Sequence, residues 1–297
     1  MPQAKPTGPG KATKTLAPLA PLALALLVGN AVIPNTGSKV VTSATNPTAS
    51  VSCEEGIENF TECHSSYPTG CSPTGKYDGY LNVLKNQEPP RDSKPLKIFT
   101  SMADYADLES RTPKELGKSN HLDLKDQLTG MGEGRPYAVI GYLYYAKQEG
   151  AESSNCELTA PDDTDYHIGI GFDKTLTKAA MAKADKTAVV VEMTPQYRAR
   201  LAPDWTLDAL KAVLSKQVKV TGQLLADNEH NVTKDNCGLP GAGDSCWRAS
   251  IWELHPVTSF QVCNKETECS QDDAAWVDLE KFDASSGTST TAKKSTP

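Results

Sequence analysis

Tyr137-Ala-Val-Ile-Gly-Tyr-Leu-Tyr-Tyr-Ala146 is the stretch whose reading decides the fold. It is rich in β-branched and aromatic residues and carries no charge, so it reads as a strand. Gly141 sits in its middle, and a glycine there lets one long strand bend sharply enough to serve both sides of a barrel. Four more β-rich stretches follow: Asp165–Phe172, Ala188–Thr194, Val218–Leu225 and Trp247–Leu254. Pro195 ends the third of them. Between the third and fourth, Thr206–Ser215 places Leu207, Leu210, Ala212, Val213 and Leu214 along one stripe behind a cap at Asp204 or Thr206, the pattern of an amphipathic helix.

From Arg135 to Val262 the order is therefore strand, strand, strand, helix, strand, strand. This order resembles the OB-fold, a small five-stranded Greek-key barrel (β-β-β-α-β-β). The resemblance implies a mainly β domain closed into a barrel, with the helix plugging its bottom. A fold of this kind implies no activity by itself. A second resemblance lies in Asp165-Tyr-His-Ile, Val190-Val-Glu-Met-Thr-Pro195, Val218-Lys-Val-Thr-Gly222 and Trp252-Glu-Leu-His-Pro-Val-Thr258, which are similar to blocks of uncharacterised secreted bacterial proteins. It implies export and no particular chemistry.

The flanks read differently. Hydrophobic residues are 38% of the 297 and aromatics only 6%. That is enough for one compact domain of roughly 130 residues with poorly ordered ends. Lys5, Lys11 and Lys14 precede an acid-free apolar run from Leu16 to Val28, and Gly29-Asn-Ala31 offers a small-x-small cleavage site. This is the pattern of a secretory signal over 1–31, the rival reading being an uncleaved anchor through Ile33. The run is too short for the roughly 20 residues of a comfortable membrane span, and no later stretch is apolar enough to cross. Residues 32–52 read as a Thr/Ser/Asn-rich linker, and 53–90 as a small Cys-bearing segment. In the latter, Tyr77, Tyr80, Leu81 and Leu84 share a helix face. Residues 91–134 read as extended or irregular, with short helices near Met102–Leu108 and Pro113–Leu116. The barrel is expected over 135–263 and a mostly disordered tail over 264–297.

Eight cysteines behind an export signal point to disulfides in an oxidising, secreted or periplasmic, setting. Cys237 and Cys246 flank a flexible Gly-rich loop, and Cys263 and Cys269 a short polar turn, so each is read as a pair. Cys53, Cys63, Cys71 and Cys156 leave three pairings open. Zinc is the rival for the thiols, but no C-x-x-C spacing occurs.

A net charge of -7 gives no general attraction to nucleic acid or anionic membranes. The barrel segment carries 13 Lys/Arg against 16 Asp/Glu, which counts against a nucleic-acid groove. The chemistry-bearing candidates lie in the strands. His167, Glu192, His230 and His255 are the candidate catalytic residues, and Asp163, Asp165, His167 and Asp227 the candidate ligands of a divalent metal. Strand alternation puts Asp165 with His167, and Glu253 with His255, on common faces. If those strands bring the faces together, imidazole and carboxylate converge for metal binding or acid–base work. The blander reading is a set of histidines satisfied by neighbouring carbonyls and carboxylates. Pro161-Asp-Asp-Thr-Asp165 is a weaker calcium candidate, lacking the glycine and distal glutamate of an EF-hand loop. Tyr142, Tyr144 and Trp247 are candidates for an aromatic ligand-binding platform, with Tyr145 on the opposite parity. Nucleophile-elbow, Walker, dinucleotide and His-Glu-x-x-His signatures are absent. Asn59-Phe-Thr61 and Asn231-Val-Thr233 fit the glycosylation rule, which matters only in a eukaryotic secretory pathway.

The expectation is thus an exported, disulfide-stabilised binding or interaction module without a required cofactor. Its ligand would be a saccharide, a peptide or another envelope protein. The alternative is a metal-assisted, nuclease-like hydrolase using the barrel His/Asp/Glu set.

Overall fold

A computed structural model of the chain describes residues 48–87, 89–230, 234–239 and 242–283. The export-signal reading, most of the 32–52 linker and the tail beyond 283 lie outside the described residues. In chain order the elements are α1 (Phe60–Ser66), α2 (Gly79–Lys85), β1 (Ile98–Phe99), α3 (Met102–Arg111), α4 (Lys125–Met131), β2 (Pro136–Gln148) and β3 (Tyr166–Gly171). They continue with α5 (Lys178–Met181), β4 (Val189–Met193), α6 (Pro195–Leu201), α7 (Leu207–Ala212), β5 (Gln217–Ala226), β6 (Trp252–Cys263) and β7 (Trp276–Asp278).

Five of the strands close on themselves in the order β2-β3-β4-β6-β5-β2. The long β2 makes the closure possible. Its first half pairs with β5 and its second half with β3, and the register shifts between Leu143 and Tyr145. At Gly141 the backbones come so near that a Cβ would stand 2.6 Å from the carbonyl oxygen of Gly171. Any side chain there would force the strands apart. All barrel pairings are antiparallel except β4 with β6, which run parallel with Val191 opposite Leu254. This is the mainly β, OB-like Greek-key arrangement expected from the strand order.

Alternation along the strands fills the barrel. Tyr166, Ile168 and Ile170 of β3, Val189, Val191 and Met193 of β4, and Trp252 and Leu254 of β6 all enter one buried apolar cluster. The opposite parity of the same strands, His167, Glu192, Glu253 and His255, faces outward and is nonetheless buried. What covers it is the connections.

Several elements depart from the sequence-based expectation. The fifth barrel strand runs from Trp252 to Cys263, not from Trp247 to Leu254. Val257, Phe260 and Val262 supply its far half against β5. Trp247–Ile251 is instead a connection, held by the buried Arg248. Pro195 stops β4 but also starts a helix. Proline is well placed in a first turn, where its missing N–H is not needed, and Thr194 caps the Tyr197 N–H. The expected helix follows as α7, capped by Thr206.

Residues 91–134, read as extended or irregular with short helices near Met102–Leu108 and Pro113–Leu116, contain the first of those helices as α3, add β1 and α4, and form a turn at Pro113–Leu116. Phe99, Tyr105, Leu108, Leu116, Leu124 and Leu128 from this region enter the barrel's core. Their spacing is too irregular to show as a periodic stripe. In the expected tail, Trp276–Asp278 adds β7 to the end of β6.

The Cys-bearing segment packs on the outside. Asp78 caps α2, whose Leu81 and Leu84 rest on Leu225 of β5. All eight cysteines are paired: Cys53–Cys71, Cys63–Cys156, Cys237–Cys246 and Cys263–Cys269. Cys63–Cys156 resolves the choice among the first four and ties α1 to the connection between β2 and β3. Among the described residues no helix is long and apolar enough to cross a membrane.

Leu254 is fully buried and opposes both Val191 and Leu224. Leu254→Ala is expected to cost about 2–5 kcal/mol in reversible denaturant unfolding. Leu96→Ala, at a side chain 56% exposed, is expected to stay within about 0.5 kcal/mol of the parent.

Candidate functional site

On the outward face of β3, β4 and β6 the register makes a constellation. His167 of β3 is directly opposite Glu192 of β4. The parallel pair Val191–Leu254 then sets Glu192 beside His255. Asp165, just before β3, lies opposite the end of β2, where its carbonyl accepts the Glu149 N–H at 2.8 Å.

The distances are short. His255 Nδ1 is 2.9 Å from Glu192 Oε2, and its Nε2 is 3.3 Å from Asp165 Oδ2. His167 Nδ1 is 2.7 Å from Glu149 Oε2 and 3.2 Å from Glu192 Oε1. The hydrogen bonding is less complete than these approaches suggest. His255 Nδ1 hydrogen-bonds Glu253 Oε1 at 3.3 Å. Glu192 Oε2, Asp165 Oδ2, Glu149 Oε2 and His255 Nε2 are buried atoms that complete no hydrogen bond. Asp165, Glu192 and His255 can each offer a ligand atom within 4.8 Å of the other two, and so can Glu149, His167 and Glu192.

A shell of further charges surrounds this core. Arg248 pairs with Glu253 at 2.6 Å and with Asp227 at 3.3 Å. His230 Nε2 lies 3.3 Å from Asp227. Lys85, at the end of α2, pairs with Glu152 at 2.9 Å, and Asn155 donates to Asp165 at 3.0 Å. The carboxylates of Glu149, Glu152, Asp165, Glu192, Asp227, Glu229 and Glu253 thus face Lys85, Arg248 and the imidazoles of His167, His230 and His255.

The titration of the groups follows from their burial and their charged neighbours. Burial drives the Asp165 carboxyl up to about 7 against the pull of His255. At Glu229 the attraction of Lys85 is outweighed by burial and by Asp227 and Glu152, and its pKa also rises to about 7. Glu192 behaves oppositely. Burial opposes its charge, but the two imidazoles and Lys85 hold it well below the usual carboxylate range. Burial opposes charge on His167 too, yet Glu149 and Glu192 push it up to about 9. His255 is likewise raised, by Glu192, Glu253 and Asp165.

The constellation opens to solvent at one edge. The Glu149 side chain is 29% exposed, whereas those of His167, Glu192, Asp165 and His255 are 5% or less. The Tyr145 ring stacks on the His167 ring, 6.0 Å between centroids, and fills the space where a Cβ on Gly169 would sit. Trp247 lies 6.0 Å from His167 on another side, and His230 meets Trp247 edge-on at 4.8 Å. Beyond His230 a cavity of about 690 Å³ is bordered by Tyr77, Lys118, Glu152 and Glu229.

The candidates of the sequence thus divide. His167, Glu192, His255 and Asp165 come together, with Asp227 and His230 at their margin and Trp247 at the rim. Asp163 stands apart, accepting the Phe60 N–H at 2.8 Å. The Pro161–Asp165 turn offers calcium little, because the carbonyls of Pro161, Asp162 and Thr164 already converge on the Arg198 guanidinium. Tyr142 bonds Glu268 and Tyr144 bonds the Asp173 backbone, so they form no platform with Trp247. The tyrosine at the site is Tyr145, of the other parity.

Lys85, Glu149, Glu152 and Arg248 escaped the sequence reading. They reach the site from connections and a peripheral helix, and no local pattern marks them. A separate buried network joins His121 to Glu133 at 2.8 Å and to Asn228 at 2.9 Å.

No known family model, curated protein or solved structure matches this chain.

Arg248→Met is expected to destabilise the fold by about 3–5 kcal/mol, because it strands Asp227 and Glu253 without their counter-charge; chemical denaturation reads this directly. His121 supplies a pH test. Burial opposes its charge, but Glu133, Asn228 and Asp78 raise its pKa above the ordinary value. The stability it contributes is complete below the unfolded histidine pKa of about 6.5 and is lost as pH rises through the folded one. The stability difference between the parent and His121→Gln should therefore shrink on going from pH 6 towards alkaline pH.

Proposed function

We propose that this is an exported, disulfide-stabilised binding protein built on an OB-like barrel, and that its binding depends on a divalent cation held by Asp165, Glu192 and His255. Four disulfides and the signal-like N-terminus support an oxidising, extracytoplasmic setting. The observation that carries the cation is the convergence of two carboxylates and one imidazole whose buried Oδ2, Oε2 and Nε2 atoms complete no hydrogen bond. These groups face one another as ion pairs at 2.9 and 3.3 Å without hydrogen-bond geometry, and a cation seated among them would engage all three residues. One imidazole with two carboxylates suits zinc, manganese or ferrous iron better than a purely oxygen-ligated ion such as calcium.

The ligand would meet the protein at the rim made by Tyr145, Trp247 and His230 and along the adjoining cavity. A saccharide or a peptide side chain suits an aromatic rim beside acidic groups. The charge of the barrel disfavours nucleic acid.

A metal-assisted hydrolase is the second reading. It is favoured by Glu149, whose partly exposed side chain joins the buried His167 to solvent, where a water molecule could be activated.

Zinc and manganese titrations of chelator-treated protein, followed by calorimetry and elemental analysis, test the proposal. At least one tight equivalent is expected, and it should be lost in Asp165→Asn and His255→Ala variants whose circular dichroism remains native. Folded parent protein that takes up neither ion would overturn the reading. For the second reading, metal-loaded protein is expected to hydrolyse activated phosphodiester or carboxylic esters in a chelator-sensitive way. Absence of turnover in loaded protein would retire the hydrolase and leave the binding protein.

A further inference from the structure

We infer that the site holds a second divalent cation, ligated by Glu149, His167 and the outer oxygen of Glu192, so that Glu192 bridges two ions. The inference rests on the first cation proposed above and extends it.

The geometry of Glu192 is the starting point. Its two oxygens face opposite ways along the sheet. Oε2 is 2.9 Å from His255 and Oε1 is 3.2 Å from His167. Each imidazole is the centre of its own three-membered ligand set, and Glu192 is the one member common to both. A carboxylate bridging cations roughly 3.5–4 Å apart is the recurring device of two-metal centres.

The second set is built for a ligand as the first is. His167 is 3% exposed at its side chain and its Nε2 is engaged by the Tyr145 hydroxyl at 3.5 Å. Its Nδ1 is therefore left facing two carboxylate oxygens. Glu149 Oε2, one of the two, is a buried atom without a hydrogen bond. Fixing one imidazole nitrogen through an outer partner is how proteins orient the other towards a metal. The sets differ in access. Asp165, Glu192 and His255 are sealed, whereas Glu149 reaches solvent. The outer ion is thus the exchangeable one, reached from solvent past the Glu149 side chain.

The test is stoichiometry on the full chain. Apo protein is titrated with zinc, and bound ion is counted by elemental analysis after gel filtration. The parent is expected to bind two equivalents. His167→Ala should retain one, and Glu149→Gln should weaken the second about tenfold or more, since it keeps the fold but loses the anionic oxygen. With manganese, the electron paramagnetic resonance spectrum of the parent should show a spin-coupled pair, and that of His167→Ala an isolated ion.

One equivalent in the parent, unchanged in both variants, would overturn the second site and leave the first standing. Two equivalents that persist in both variants, or two magnetically isolated ions, would place the second ion elsewhere and equally overturn the inference. No ion at all would sink the inner site on which it depends.

Discussion

The parallel contact between β4 and β6 is the constraint on which the rest depends. Val191 opposite Leu254 places two apolar side chains inside the barrel. By alternation it also turns Glu192 and His255 outward side by side. The antiparallel register of β3 on β4 then adds His167 to the same row. One pairing thus serves both the hydrophobic core and the charged cluster. Slipping it by a single residue would put Glu192 into the core and Val191 into the cluster.

The outward row would be solvated on a bare barrel. Here it is roofed by the β2–β3 connection, by the described residues between β5 and β6 and by the end of α2, and two of these coverings carry disulfides. Burying so many charges works against stability, and well-packed apolar residues would usually serve a fold better. Burial and mutual attraction move the carboxylates and imidazoles of this cluster away from their ordinary titration ranges. The roof therefore has two tasks. It excludes water from the inner groups, and it leaves an edge open at Glu149, Tyr145 and Trp247.

Much of the barrel was legible because its signals are local. A β-rich run with glycine at its bend, Val-rich β4 and the capped stripe of α7 each declare themselves within a few residues. The failures were also local in origin. Trp247–Ile251 has the composition of a strand, yet a buried arginine and its two carboxylates hold it as a connection. Proline at 195 reads as a stop, yet it is also a good first residue of a helix. Apart from the expected helix at α3, the apolar residues of 91–134 enter the core from short, unevenly spaced elements that no periodicity test detects.

The sequence by itself determined which strand residues share a face, that eight cysteines suit an oxidising compartment, and that Asp165 and His167, or Glu253 and His255, travel together. These follow from the two-residue period of a strand and from composition, which need no knowledge of distant contacts. Only the tertiary structure decided that the two faces meet at Glu192, that Tyr145 rather than Tyr142 or Tyr144 attends the site, and that Lys85, Glu149, Glu152 and Arg248 belong to it. Barrel closure sets those neighbours across long stretches of chain, and the energy that fixes them lies in register and packing rather than in any local run of residues.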